Sequence, residues 1–187
     1  MATTRLHPYS HGAKLCFGAG VVLILSCLIA SELGYRVNSS PSLPRGIWRV
    51  VAQNGRVQRG QIISIFPTDN AMFKMARSRS YLSWGLCSGG YSSLLKPVAA
   101  VEGDRVAISD QGIAVNGVFI PKSRALTRDT MGRTLKPMEN GFYTVKPGTI
   151  WLISSHDHSF DSRYFGALPS ANILGLAKPV LLEDHTK

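Results

Sequence analysis

Ile113-Ala114-Val115-Asn116-Gly117-Val118-Phe119-Ile120 sets two short apolar runs around an Asn-Gly pair. A two-residue hairpin turn of this kind needs positive φ at both central positions, which Asn and Gly reach at least cost, so the stretch predicts a tight β-hairpin. The same pattern extends outward in both directions. Upstream, Lys96-Pro97-Val98-Ala99-Ala100-Val101 leads through Glu102-Gly103-Asp104 into Arg105-Val106-Ala107-Ile108. Further back, Arg59-Gly60-Gln61 feeds a β-branched run at 62–66, and another apolar run lies at 47–51. Downstream, runs at 142–145 and 150–154 flank Lys146-Pro147-Gly148. Short strands at close spacing, with turn signals between them, predict a mainly β domain, a barrel or a sandwich. Residues 70–82 are the one helical candidate within it, with Ala71, Phe73, Met75, Ala76 and Leu82 giving a partial apolar face. The Gly- and Ser-rich residues 84–93 read as a loop.

Before this domain, residues 15–30 read LCFGAGVVLILSCLIA, and no charge appears until Glu32. The run is at the short end of the roughly 17–25 residues that cross a bilayer. Arg5 and Lys14 precede it, with His7 and His11 between them, so the positive-inside rule keeps the N-terminus in the cytoplasm. The expected organisation is a cytoplasmic tail at 1–14, a transmembrane anchor at 15–35 and an extracytoplasmic domain at 36–187. A cleaved secretory signal is a second reading. A lipoprotein signal is a third, because Ile24-Leu25-Ser26-Cys27 resembles the site at which such signals are cut. The uncleaved anchor ranks first, since the apolar run continues past Cys27. All three place the bulk of the chain outside the cytoplasm.

Composition narrows the function classes. The 187 residues are 44% apolar and 17% charged, with a net charge of +10. The cations are scattered, Arg77 and Arg79 being the densest spot, and no basic stripe is interleaved with aromatics, so a nucleic-acid partner is not indicated. Of three cysteines, Cys16 and Cys27 lie in the apolar run and Cys87 stands alone, which implies no disulfide framework. Cys87 reads as a small buried residue.

Three spots carry candidate chemistry. Ser40-Pro41-Ser42-Leu43-Pro44 follows the apolar run, and its prolines stiffen the loop by fixing their own φ and restricting the residues before them. Such a loop can hold a serine hydroxyl in place. Lys96 is a lone lysine in an apolar run, where burial would lower its pKa and let the free amine take a proton from a hydroxyl. Ser159-Phe160-Asp161-Ser162-Arg163 suits an internal ion pair that fixes a loop. His156-Asp157-His158, just upstream, has two further readings: zinc ligation, for which no third ligand is evident, or a Ser–His–Asp triad. Singly, each spot has a bland alternative: a proline-rich linker, a snorkelling lysine, a structural ion pair.

In their order, the three spots resemble the boxes of the signal peptidase I (leader peptidase) family: a membrane helix, a serine box, a lysine box with a Gly-Asp turn, and a late Asp-Ser-Arg box. Residues 38–46, 96–104 and 154–166 match these in turn. The chain is most similar to the conjugative-transfer, TraF-type branch. It is compact between the boxes, and Leu43 follows the serine where leader peptidases usually carry Met. Gly85-Leu86-Cys87 and Met131-Gly132-Arg133-Thr134-Leu135 also look like that branch. Two departures stand out: His156-Asp157-His158 replaces a Gly-Asp-Asn-Arg stretch, and Gln61 stands where an acid is common.

The resemblance implies a signal-peptidase-like β domain working as a serine endopeptidase. Ser42 would be the nucleophile and Lys96 the general base, with Asp161 a third essential catalytic residue. Ser40 would serve the oxyanion hole, Ser159 would orient the lysine, and Arg163, Gly103 and Asp104 would give structural support. No metal and no cofactor are implied. The implied partner is a membrane-tethered precursor, a propilin of a conjugative system, with closure into a ring as one implied fate, at the bacterial inner membrane with the catalytic domain periplasmic. A general leader peptidase and a non-catalytic component of a transfer assembly are the alternatives.

Overall fold

The computed structural model describes residues 11–183, and the chain divides into two units after Tyr35. The first holds helix α1, His11–Glu32. Within it, Gly12–Glu32 is the one helix among the described residues long and apolar enough to cross a membrane, at about 30 Å. Its large apolar side chains, Leu15 to Ile29, are all exposed, which suits lipid as solvent. Ser26 closes its hydroxyl on the Val22 carbonyl at 2.9 Å, leaving no bare polar group on that face. The expected tail falls mostly on residues 1–10, outside the described residues. Residues 11–14 are already helical, because hydropathy marks the apolar run and not the helix end. The helix stops where Gly34, at φ 87°, turns back so that its N–H reaches the Ser31 carbonyl.

The second unit is mainly β, as the short runs predict. In chain order it holds β1 (Tyr35–Asn38), β2 (Gly46–Val51), β3 (Ile62–Ile65), helix α2 (Ala71–Ser78), β4 (Trp84–Cys87), β5 (Leu94–Ala100) and β6 (Arg105–Ser109). Then come β7 (Gly112–Val115), β8 (Val118–Phe119), β9 (Gly141–Thr144), β10 (Thr149–Leu152), helix α3 (Ser162–Phe165), β11 (Leu168–Pro169) and β12 (Ile173–Leu182). A seven-stranded sheet runs β1-β2-β12-β3-β5-β10-β11, and a four-stranded sheet runs β8-β7-β6-β9. The Asn116-Gly117 hairpin forms as read, with φ of 50° and 83° at its two turn residues.

Two cores hold the sheets. Ile63, Ile65, Leu94, Val98, Leu152 and Leu168 of the larger sheet pack with Phe73 and Ala76 of α2. Val106, Ile108, Ile113 and Val115 of the smaller sheet pack with Ala100, Trp151 and Ile153. Helix α2 is shorter than the expected 70–82: Asn70 caps it, its side chain accepting from the Phe73 N–H, and it ends at Ser78. The expected loop at 84–93 contains β4, which bridges Tyr91. Gly85 permits this, since a Cβ there would lie 2.5 Å from the Tyr91 carbonyl oxygen, and Tyr91 buries its ring in the first core.

β2 is locked against β12 by a close backbone approach. Gly46 has φ 138°, and a Cβ there would meet the Leu181 oxygen at 2.1 Å. Gly46→Ala is therefore expected to destabilise the folded chain by about 2–4 kcal/mol. Chemical denaturation of the full chain in detergent checks this; an unchanged midpoint would show that β2 does not depend on the approach.

Candidate active site

Lys96 is the buried lysine that the apolar run implied. Along β5 the odd residues are half-buried while Leu94, Lys96, Val98 and Ala100 are buried, so the strand's own alternation turns the lysine inward. Its neighbour across the ladder is Ile63 on β3. Pro97 follows and has no N–H to give a partner strand, and β10 joins β5 only from Val98 onward. The edge of β5 beside Lys96 is left to the loops that carry the other polar groups.

Ser42 reaches that edge on the loop between β1 and β2. Asn38 holds the loop closed. Its Nδ2 donates toward the carbonyls of Ser40, Leu43 and Pro44 at 3.0–3.2 Å, and its Oδ1 accepts from the Ser40 N–H. Leu43 packs with Trp48 and Ala177, and the Trp48 indole N–H donates to the Pro44 carbonyl at 3.1 Å. With its backbone fixed at both ends, Ser42 places Oγ 2.8 Å from Lys96 Nζ. Lys96 Nζ lies the same distance, 2.8 Å, from Ser159 Oγ. Ser40 Oγ is 2.9 Å from Ser42 Oγ and accepts from the Ser42 N–H at 3.3 Å. Ser42 and Lys96 are only 8% and 6% exposed.

Burial governs the lysine's charge. Desolvation pulls its pKa from 10.5 down to about 8; Asp161 opposes the shift and Arg163 reinforces it. Asp161 and Arg163, both fully buried, form an ion pair of 2.8 Å (Arg163 Nε to Asp161 Oδ1). The Arg163 guanidinium also donates to the carbonyls of Ser154, Lys122, Arg124 and Asp157. Asp161 Oδ2 accepts from the Ser154 N–H at 3.0 Å, and Asp161 caps α3 through the Arg163 N–H. The pair therefore pins both ends of the 154–163 loop, the structural role first read for it. The Asp161 carboxylate is hydrogen-bonded to Arg163 and Ser154, not to Lys96 or Ser42.

Gly103 and Asp104 make the turn from β5 to β6, with Gly103 at φ 85°. Asp104 accepts from the Val101 N–H at 2.8 Å and from Asn116 Nδ2 at 2.7 Å, bracing the far end of the lysine strand against the hairpin. His156 and His158 have ring centroids 6.2 Å apart. No group of three His, Cys, Asp or Glu side chains among the described residues is placed to share a metal ion. Cys87 is buried in the first core.

Sequence reasoning missed Ser154, whose hydroxyl donates to the Ser42 carbonyl across 112 residues. Its only local signal is its place as the first polar residue after an apolar strand. Asn38 was legible only as the opening of a loop. Its Asx chemistry, one residue short of Ser39-Ser40-Pro41, was the signal that it organises the turn.

The buried lysine makes its own stability prediction. Its folded pKa lies below the unfolded value, so the unfolded chain holds the extra proton between about pH 8 and 10.5. Stability attributable to Lys96 should rise with pH through that window, the burden being fully present below it. At pH 7 Lys96→Met should stabilise the chain by up to about 3 kcal/mol, an advantage that shrinks by pH 10. Denaturant melts at the two pH values check this; an equal effect at both would show that the ammonium is not the burden.

Known proteins bear on this site. The family model for signal peptidase, peptidase S26, matches residues 10–182. A conjugal transfer protein TraF from Agrobacterium fabrum is 42% identical over 166 residues, 89% of this chain and 93% of the relative. A plasmid transfer protein TraF from Escherichia coli is 35% identical over 169 residues, with the same coverage of both chains. Overlap with a signal peptidase I from Enterococcus faecalis V583 is loose, at a TM-score of 0.36 and 20% identity over 66% of this chain and 98% of that one. On the match across its length and the identity to these relatives, the chain belongs to the signal peptidase, peptidase S26, family.

Proposed function

We propose that this chain is a membrane-anchored serine endopeptidase in which Ser42 is the nucleophile and Lys96 the general base. The observation that carries the reading is a buried amine, its pKa drawn to about 8, lying 2.8 Å from the hydroxyl of a serine on a braced loop. A neutral amine in that position accepts the Ser42 proton as Oγ attacks the scissile carbonyl. Ser159 Oγ accepts a hydrogen bond from the amine and so aims its lone pair at Ser42. The ammonium then protonates the leaving amine, and an ester on Ser42 remains. Water gives a proton to Lys96 as it attacks the ester, and Lys96 returns that proton to Ser42 Oγ as the product leaves; an amine attacking instead would join two ends.

Ser40 supports this sequence by position. At rest its hydroxyl lies against Ser42 Oγ and accepts the Ser42 N–H. Once Ser42 Oγ has added to the scissile carbonyl, the Ser40 hydroxyl and the Ser42 N–H are freed to face the oxyanion; one such donor is worth about 3 kcal/mol. Asp161 acts through the loop it fixes, as a positioning residue, with Arg163 as its partner. Gly103 and Asp104 keep the lysine strand in register. Besides the chain's own groups, the reaction as written draws only on water or an attacking amine.

The relatives' names speak of conjugal and plasmid transfer, which favours a peptidase role in conjugation here. The substrate is then a membrane-tethered precursor with small residues before the cut, a propilin, with ring closure by aminolysis as one fate of the acyl-enzyme. Helix α1 anchors the enzyme in the bacterial inner membrane with its catalytic domain periplasmic. Only a short stretch of sequence separates α1 from Ser42, which suits cutting near the membrane–water boundary.

Co-expression with a propilin substrate tests the mechanism. Ser42→Ala and Lys96→Ala should each reduce processing by about a thousandfold or more, and a chelator should leave it unchanged. Processing that survives both substitutions would sink the dyad. The wild-type kcat/KM should climb with pH and level off above about 8, as free amine accumulates. A flat profile from pH 6 to 9 would assign the base elsewhere.

A further inference from the structure

Ser42 opens into a cleft of about 550 Å³ lined by Pro41, Leu43, Pro44, Arg45, Pro97, Ser154, Ser155 and His156. No carboxylate lines it. The walls are proline, leucine and serine, and Arg45 is the one permanent charge among them. Burial, then the nearby His158, hold the His156 pKa below the ordinary histidine value and disfavour its charge.

The placement of Arg45 is fixed while its charge is unused. Its carbonyl accepts from the Glu183 N–H at 2.9 Å, and Gly46 beside it is locked against Leu181. Its guanidinium makes no hydrogen bond or ion pair with any described residue, Glu183 included. Arg163, by contrast, is committed to Asp161 and four carbonyls. An extended peptide with its scissile carbonyl at Ser42 must run along this cleft, three residues from Arg45 in the chain. A guanidinium offers a fork of donors that matches a carboxylate, and Arg45 is exposed, so the attraction is that of a surface ion pair.

We propose that Arg45 is a specificity-determining residue that selects precursors carrying a carboxylate within a few residues of the scissile bond. This rests on Ser42 being the nucleophile. Selection would be by charge, with small residues at the cut satisfying the apolar walls. The cleft would disfavour a lysine or arginine at the same substrate position, because that cation would meet Arg45 with no carboxylate lining the cleft to offset it.

The test uses the full chain in detergent micelles and internally quenched peptides with alanine flanking the cut. Glu, Gln or Lys is placed in turn at each position from about four before to four after it. At one or more positions, Glu should exceed Gln in kcat/KM by about fivefold, the scale of one partly exposed ion pair. Arg45→Ala should bring that ratio to about one, Arg45→Lys should keep part of it, and Arg45→Glu should favour Lys over Glu. The ratio is read within one enzyme preparation, so loss of folded protein in a variant does not move it. A wild-type Glu/Gln ratio near one at every position, or a preference that survives Arg45→Ala, overturns the proposal while leaving the peptidase reading intact. No cleavage of any peptide by wild type, with Ser42→Ala identical, overturns both.

Discussion

A primary amine held out of water is the constraint around which the rest of this domain is arranged. An ammonium in bulk water has no reason to give up its proton at neutral pH. Strand alternation turns Lys96 inward, and burial draws its pKa to about 8. The two hydroxyls within 2.8 Å, from Ser42 and Ser159, give it hydrogen bonds without giving it a counter-charge. A carboxylate in direct contact would have undone the shift. Asp161 is close enough to oppose it, yet its oxygens are taken up by Arg163 and the Ser154 N–H.

That arrangement explains why a fully buried ion pair sits behind the site. Burying Asp161 and Arg163 is costly unless every oxygen and N–H finds a partner. Here the guanidinium serves four carbonyls besides the carboxylate, and no buried side-chain nitrogen or oxygen among the described residues lacks a hydrogen bond. The return is geometric. Ser159 stays on Lys96, and Ser154 reaches from its strand end to the Ser42 carbonyl. The serine loop is thus held from within by Asn38 and from behind by Ser154.

The β architecture was legible because its signals are local. Asn116-Gly117 dictates its turn, Gly103-Asp104 the next one, and the strand runs between them have the right period. Lys96 stood out because a lone cation in an apolar run violates that pattern. The serine box, the lysine box and the Asp-Ser-Arg box were legible as an ordered set. What escaped depends on distance along the chain. Ser154 meets Ser42 across 112 residues, and no local rule pairs them. β4 forms only because Gly85 lets the Tyr91 backbone approach, a fact of packing that a glycine-rich composition reads as loop. The Asp161–Arg163 pair, by contrast, was legible as an ion pair that fixes its loop, and the two side chains lie 2.8 Å apart in the fold.

The central claim is that an ester forms on Ser42 as Lys96 passes the serine proton to the leaving amine. Rapid acid quenching of the full chain during turnover of a precursor, followed by peptide mapping by mass spectrometry, reads it directly. The account predicts the acyl fragment on the peptide containing Ser42, and its absence from the Ser42→Ala chain. Product formation with no adduct on Ser42, or an adduct on another residue, would contradict it.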